Sequence, residues 1–179
     1  RALGYSEIIT YSFVSPTVFD NIRLPKDTPL RNAIRIINPL GEDTSIMRTV
    51  ILPSMLDILA RNHAYKNKGV KLYEMGRIYL PVEGRDLPDE PKRLIFGTYG
   101  EHEDFFSMKG EIDALLAALN IPAATYVRSS DDPSYHPGRC AELRIGGQKV
   151  GVLGQIHPLV AEAYGIGADV YCAELDFAL

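Results

Sequence analysis

The pattern of hydrophobic and polar positions changes period several times along the chain, and each change predicts an element. Ile8-Ile9-Thr10-Tyr11-Ser12-Phe13-Val14 is rich in β-branched and aromatic residues and predicts a strand. Ser15 followed by Pro16 supplies a cap and a first-turn proline, so a short helix is expected to reach about Asn21. Residues 23–31 carry two prolines and mixed charge and read as a loop. Ile34-Arg35-Ile36-Ile37 predicts a short strand stopped by Asn38-Pro39 and Gly41. From Leu52 the spacing becomes helical: Leu52, Met55, Leu56, Leu59 and Ala60 share one face, and Pro53 falls in the first turn. Lys66-Asn67-Lys68-Gly69 ends that helix with positive charge and a glycine stop.

Residues 70–80 and 94–99 predict two further strands, joined by a charged, proline-containing connector over 84–91. Ser107 is positioned to cap a second helix whose face is Met108, Ile112, Leu115, Leu116 and Leu119. Ala124 to Val127 starts a strand. Glu142 to Ile145, then Gly146-Gly147, then Lys149 to Leu153 predicts a hairpin with a two-residue turn. His157-Pro158 opens a helix closed by Gly165, and residues 170–177 form a final strand. Several consecutive strands lack helical crossovers, so the expected class is α+β, an antiparallel β-sheet flanked by helices, in one domain over 1–179.

Composition narrows the classes of function. The chain has 179 residues, 46% of them hydrophobic and 23% charged, with a net charge of −4; that suits a soluble domain with a sizeable core rather than a nucleic-acid-coating one. No apolar run approaches the length of a membrane span. The first residues do not form a targeting segment, no initiator Met is present, and the chain stops just after a strand-like run; it is expected to be a piece of a longer polypeptide. Two isolated cysteines, Cys140 and Cys172, are expected to be reduced and near the core, which implies a cytoplasmic address.

Candidate chemistry is sparse. His63, His102, His136 and His157 are not spaced as zinc ligands, and His136 and His157, each followed by proline, mark turn and helix-start geometry. No nucleophile elbow, Walker loop or dinucleotide fingerprint occurs. Asp131-Asp132 and Asp89-Glu90 lie in loops as solvated charges. Two groups remain. Arg61, Lys66, Lys68 and Lys71 gather near one helix end, where they offset the helix dipole or contact RNA phosphates. His136, Arg139 and Glu142 are candidates to line a pocket, of a ligand-binding or adenylating kind.

Several segments resemble, in order along the whole chain, the beta subunit of bacterial phenylalanyl-tRNA synthetase. They include Leu3-Gly4-Tyr5, Asn38-Pro39-Leu40, Met47-Arg48-Thr49 with Leu52-Pro53, Leu72 to Tyr79, Phe105-Phe106 with Lys109-Gly110, His136-Pro137-Gly138-Arg139, Gly151 to Pro158, and Glu174-Leu175-Asp176. The resemblance implies a class II synthetase-like core that pairs with a catalytic alpha subunit, two of each. The enzyme so formed uses ATP and Mg2+ to join phenylalanine to its tRNA. No cofactor is expected on this segment itself.

The same resemblance implies that the catalytic positions are lost. In the first class II motif, Gly4-Tyr5 and Ile8 fit, the interface proline falls on Tyr11, and the long helix would precede residue 1. In the second, an arginine that grips the ATP α-phosphate is replaced by Leu80 and the acid that follows by Val82; Arg77 stands three residues earlier. In the third, Glu174 and Asp176 occupy glycine positions and Leu179 stands where an arginine belongs. No catalytic residue is therefore assigned.

Overall fold

The computed structural model describes residues 2–177. Strands β1 (Ser6–Glu7), β4 (Val70–Arg77), β5 (Lys92–Tyr99), β9 (Val170–Asp176), β8 (Gln148–Ile156), β7 (Tyr135–Ile145) and β6 (Thr125–Arg128) form one sheet in that spatial order. Every neighbouring pair is antiparallel except β1 with β4. A second sheet pairs β2 (Phe13–Val14) with β3 (Ile46–Met47). The helices are α1 (Val18–Asn21), α2 (Leu52–Ala64), α3 (Phe105–Ala118) and α4 (Pro158–Ala163).

Helices α2 and α3 cover opposite faces of the large sheet. Leu52, Met55, Leu56 and Leu59 of α2 pack on Leu72, Ile95, Tyr99, Val170 and Cys172. Met108, Ile112 and Leu116 of α3 pack on Leu94, Leu143, Leu153, Ala173 and Leu175. The residues of β9 alternate between these two clusters, so the strand is buried on both sides and reads as a nearly continuous apolar run. Cys140 and Cys172 are buried and free. Among the described residues no helix is long and apolar enough to cross a membrane.

The expected hairpin is present. Gly146 and Gly147 both hold positive φ, 59° and 84°, which a turn of this kind requires and glycine adopts freely. The long strand expected over 8–14 is split instead. The Thr10 hydroxyl donates to Glu74 Oε2 at 2.7 Å and the Ser12 carbonyl accepts from the Arg48 amide at 2.8 Å, so residues 8–12 cross between the two sheets on side-chain and isolated backbone partners. Ile34 to Ile37 contributes only an isolated bridge, Arg35 to Ile46. The cap of α3 is Asp104 rather than Ser107: Asp104 Oδ1 accepts from the Ser107 amide at 2.7 Å, and Ser107 Oγ accepts from the Asp104 amide at 2.8 Å. Leu119 lies just past the helix and is half exposed.

Two glycines give opposite expectations. A Cβ on Gly154 would sit 2.5 Å from the Arg139 carbonyl oxygen and 2.9 Å from Cys140 Cα, and neighbouring backbone cannot yield cheaply. Gly154→Ala should cost about 1–3 kcal/mol. Gly110 lies inside α3 with open space around it, so Gly110→Ala should stabilise by about 0.5–1 kcal/mol. Urea midpoints of the two variants check both signs.

Candidate functional site

At the start of α2, Arg48 is buried beneath β4. Its Nη2 donates to Glu74 Oε1 at 3.0 Å, Nε to the Arg77 carbonyl at 2.8 Å, and Nη1 to Thr10 Oγ1 at 2.8 Å and Ser54 Oγ at 3.3 Å. Both members of this ion pair are almost wholly excluded from solvent, at 2% and 3% side-chain exposure. Three separate segments, around Thr10, at the start of α2 and on β4, thus meet on one guanidinium. Four of its five N–H donors are committed inside the protein, which makes it a structural group.

The positions matched to nucleotide chemistry lie at one end of the sheet. The strand β4 ends at Arg77, whose guanidinium pairs with Glu90 at 2.9 Å on the surface. Leu80 makes an isolated bridge to Asp89 and packs on the α2-side core. On β9, Glu174 and Asp176 both reach Arg93 of β5, at 3.5 Å and 2.5 Å. Together with Lys149 these groups line a shallow cavity of about 260 Å³. The residue matched to the last arginine, Leu179, lies outside the described residues.

Burial pushes the Glu174 carboxyl up to about 7; Arg93 opposes the rise, and Asp132 and Asp176 add to it. The side chain keeps 21% of its surface open, so the shielding comes largely from the strands around it. Between the ordinary value of 4.5 and about 7 the folded state holds a proton that the unfolded state has lost. Stability contributed at this site therefore falls as pH rises through that window. Glu174→Gln should flatten this part of the pH–stability curve, match the parent near pH 4 and exceed it at pH 8, as thermal melts across pH would record.

The basic group separates into two parts. Lys71 is held by Glu111 and by Glu103 at 3.2 Å, with its Nζ 5.2 Å from the centre of the Tyr5 ring. The Tyr5 hydroxyl donates to Glu111 at 2.6 Å, so Lys71 ties the N-terminal segment and β4 to α3 and is not a free cation. Arg61, Lys66 and Lys68 are exposed around the end of α2. Lys66 and Lys68 line a cavity of about 380 Å³ with His63, Tyr99, Glu101 and Asp169, where the two acids offset the two lysines.

The group His136, Arg139 and Glu142 does not converge, because strand alternation turns Glu142 away from Arg139. Glu142 is bound by Arg144 at 2.7 Å and Lys149 at 2.8 Å. These two cations hold its carboxyl below the usual range. His136 Nδ1 accepts from the Gly138 amide at 3.0 Å, and His157 Nδ1 from the Leu159 amide at 3.1 Å, the turn and helix-start roles expected of them. Arg139 alone faces a cavity, of about 500 Å³, between the start of α3 and strands β6, β7 and β9.

One surface feature stands apart. Thr10, Ser12 and Val14 point inward, which turns Ile9, Tyr11 and Phe13 outward at 92%, 80% and 42% exposure. Ile37 and Leu40 are exposed as well, on the loop that follows the Arg35 bridge to β3.

Comparison with known proteins assigns the family. The family model described as phenylalanyl tRNA synthetase beta chain CLM domain matches residues 1–177. The chain belongs to this family. The CLM domain is 45% identical over 174 residues to the phenylalanine–tRNA ligase beta subunit of Clostridium tetani, covering 97% of this chain and 22% of that protein. It is 43% identical over 177 residues to the subunit of the same name from Clostridium acetobutylicum, with 98% and 22% covered. The chain thus spans about a fifth of the length of these curated relatives. The CLM domain also shares its fold with pyrrolysyl-tRNA synthetase from Desulfitobacterium hafniense, at a TM-score of 0.77 and 15% identity, over 98% of this chain and 61% of that one. A class II synthetase-like α+β fold is therefore present.

Of the site residues expected from sequence, Glu174 and Asp176 come together in the CLM domain, on a partner that the sequence reading did not single out, Arg93. Arg128, which lines the cavity with Arg139, was also passed over. It ends a short strand and carries no motif, so only strand pairing reveals what it faces.

Proposed function

We propose that this CLM domain is the non-catalytic, synthetase-like module of a phenylalanine–tRNA ligase beta subunit. It packs against the catalytic alpha subunit within an assembly of two alpha and two beta chains, in the cytoplasm. That assembly would use ATP and Mg2+ to attach phenylalanine to its tRNA, with this module helping to position the tRNA. The observation that carries the reading is the carboxylate pair on β9. Glu174 and Asp176 fill the sheet end where a triphosphate would need glycine and positive charge, and they engage Arg93, the guanidinium at that spot. A triphosphate placed there would meet the Asp176 carboxylate and, as pH rises through about 7, that of Glu174 as well, in a partly dehydrated setting where like charges cost most. Leu80 adds apolar bulk at the position matched to the α-phosphate arginine.

The side supported for assembly is the apolar face of Ile9, Tyr11 and Phe13 with neighbouring Ile37 and Leu40. All five are large apolar side chains left in solvent, the kind of surface that marks an interaction site when it is grouped. Arg61, Lys66 and Lys68 are the weaker candidates for tRNA contact, given Glu101 and Asp169 beside the lysines. Reversing all three charges in the assembled enzyme should change the salt dependence of tRNA binding by less than one phosphate contact. The proposal is tested by mixing the full-length beta subunit with its alpha subunit and measuring mass by light scattering. A complex of two alpha and two beta chains is expected; separate elution at micromolar concentration would refute the assembly role.

A further inference from the structure

We infer that the cavity between the start of α3 and strands β6, β7 and β9 binds an unpaired nucleotide of RNA, with its phosphate on Arg128 and Arg139 and its base against Phe106. The inference deepens the tRNA side of the reading above and rests on it only for the identity of the RNA. Strand pairing builds the cavity. Arg128 of β6 lies opposite Ala141 of β7, so a small side chain floors the space between the two guanidiniums. Tyr126, Tyr171 and the Phe105-Phe106 pair complete the walls, and about 500 Å³ is enough for one nucleotide.

Two arginines face one carboxylate in the lining, so the cavity is left with an excess of positive charge. The Arg128 side chain makes no ion pair or hydrogen bond among the described residues. Arg139 donates from Nη1 to Gln155 Oε1 at 2.6 Å, and the buried Gln155 donates from Nε2 to Asp169 Oδ1 at 2.9 Å. A neutral amide, itself oriented from behind, thus fixes the Arg139 guanidinium without cancelling its charge. Guanidinium suits phosphate, which it grips with paired donors. The carboxylate in the lining is Asp104, and its Oδ1 is occupied in capping α3. A phosphodiester, with one negative charge, is tolerated beside it where a triphosphate is not.

The aromatic side of the cavity completes the match. Phe106 is 75% exposed, with its ring edge supported by Phe105 at 5.5 Å between centroids. An exposed phenyl ring beside two guanidiniums, one held only by a neutral amide, is the pairing with which proteins hold splayed bases and their phosphates. Tyr126 is anchored by its hydroxyl to Asp113 at 2.6 Å, which keeps the neighbouring wall rigid.

The test uses the full-length subunit in its assembled enzyme and a fluorescein-labelled RNA octamer of mixed sequence without self-pairing. Ultraviolet cross-linking followed by peptide mapping should place RNA on peptides containing Phe105-Phe106, Tyr126 or Tyr171. By anisotropy, the double variant Arg128→Ala/Arg139→Ala should weaken binding at least tenfold and lower the slope of log affinity against log salt by about 0.7, the value for one phosphate contact on a single strand. Phe106→Ala should weaken it by about 5- to 100-fold with the slope kept, and Arg128→Lys/Arg139→Lys should keep the slope. Cross-links found only outside the cavity would overturn the inference, as would unchanged affinity and slope in a double variant with the parent's melting temperature. Equal competition by inorganic phosphate or AMP would overturn it too, by marking a small-anion site. Any of these results with the alpha–beta complex intact would leave the assembly role standing.

Discussion

Arg48→Ala is expected to destabilise the domain by about 3–5 kcal/mol, because it leaves the Glu74 carboxylate buried without its cation. The loss is large because nothing else nearby can replace the charge. Among the described residues Glu74 keeps only Thr10, through the hydroxyl at 2.7 Å and the amide at 3.4 Å. The Arg77 carbonyl and the Ser54 hydroxyl also lose a donor. For a chain of this size, that should lower the melting temperature by about 10 °C or more. Replacing both partners with apolar residues, Arg48→Met/Glu74→Leu, should recover most of the loss, since no buried charge remains. Urea denaturation of the three proteins checks the prediction. A single variant as stable as the parent would show that the pair is dispensable.

The second large effect concerns assembly. In the full-length subunit, Ile9→Asp/Tyr11→Asp should weaken association with the alpha subunit by at least a hundredfold, while the melting temperature of the beta subunit itself hardly moves. Both side chains are largely exposed and make no hydrogen bond among the described residues, so folding gains little from them. Charge placed in the centre of an interface must be dehydrated without a partner, a cost of several kcal/mol. Sedimentation at graded concentrations reads the change. Unchanged association would move the interface elsewhere.

How much of this was legible in the sequence differs from element to element. The helix α2 declared itself through the spacing of Leu52, Met55, Leu56 and Leu59, and the hairpin through Gly146-Gly147. The order of the sheet did not. The strand β9 enters between β5 and β8, a pairing set by long-range burial rather than by any local signal. The run Ile8 to Val14 has the β-branched and aromatic composition of one strand, and composition does not say which of its residues face inward. In fact the inward positions are Thr10 and Ser12, and their partners Glu74, Arg48 and Tyr79 lie far along the chain. The same limit applies at the site. The acids at 174 and 176 were visible as departures from a motif, whereas Arg93 became visible as their partner only once β5 and β9 were paired.

The central claim is that this module has exchanged nucleotide chemistry for a structural role, and binding of ATP tests it most directly. Calorimetric titration of residues 1–179 with ATP and Mg2+, and separately with phenylalanine, should give no heat of binding up to millimolar ligand. Saturable binding of either ligand at micromolar strength, abolished by Arg93→Ala, would contradict the account.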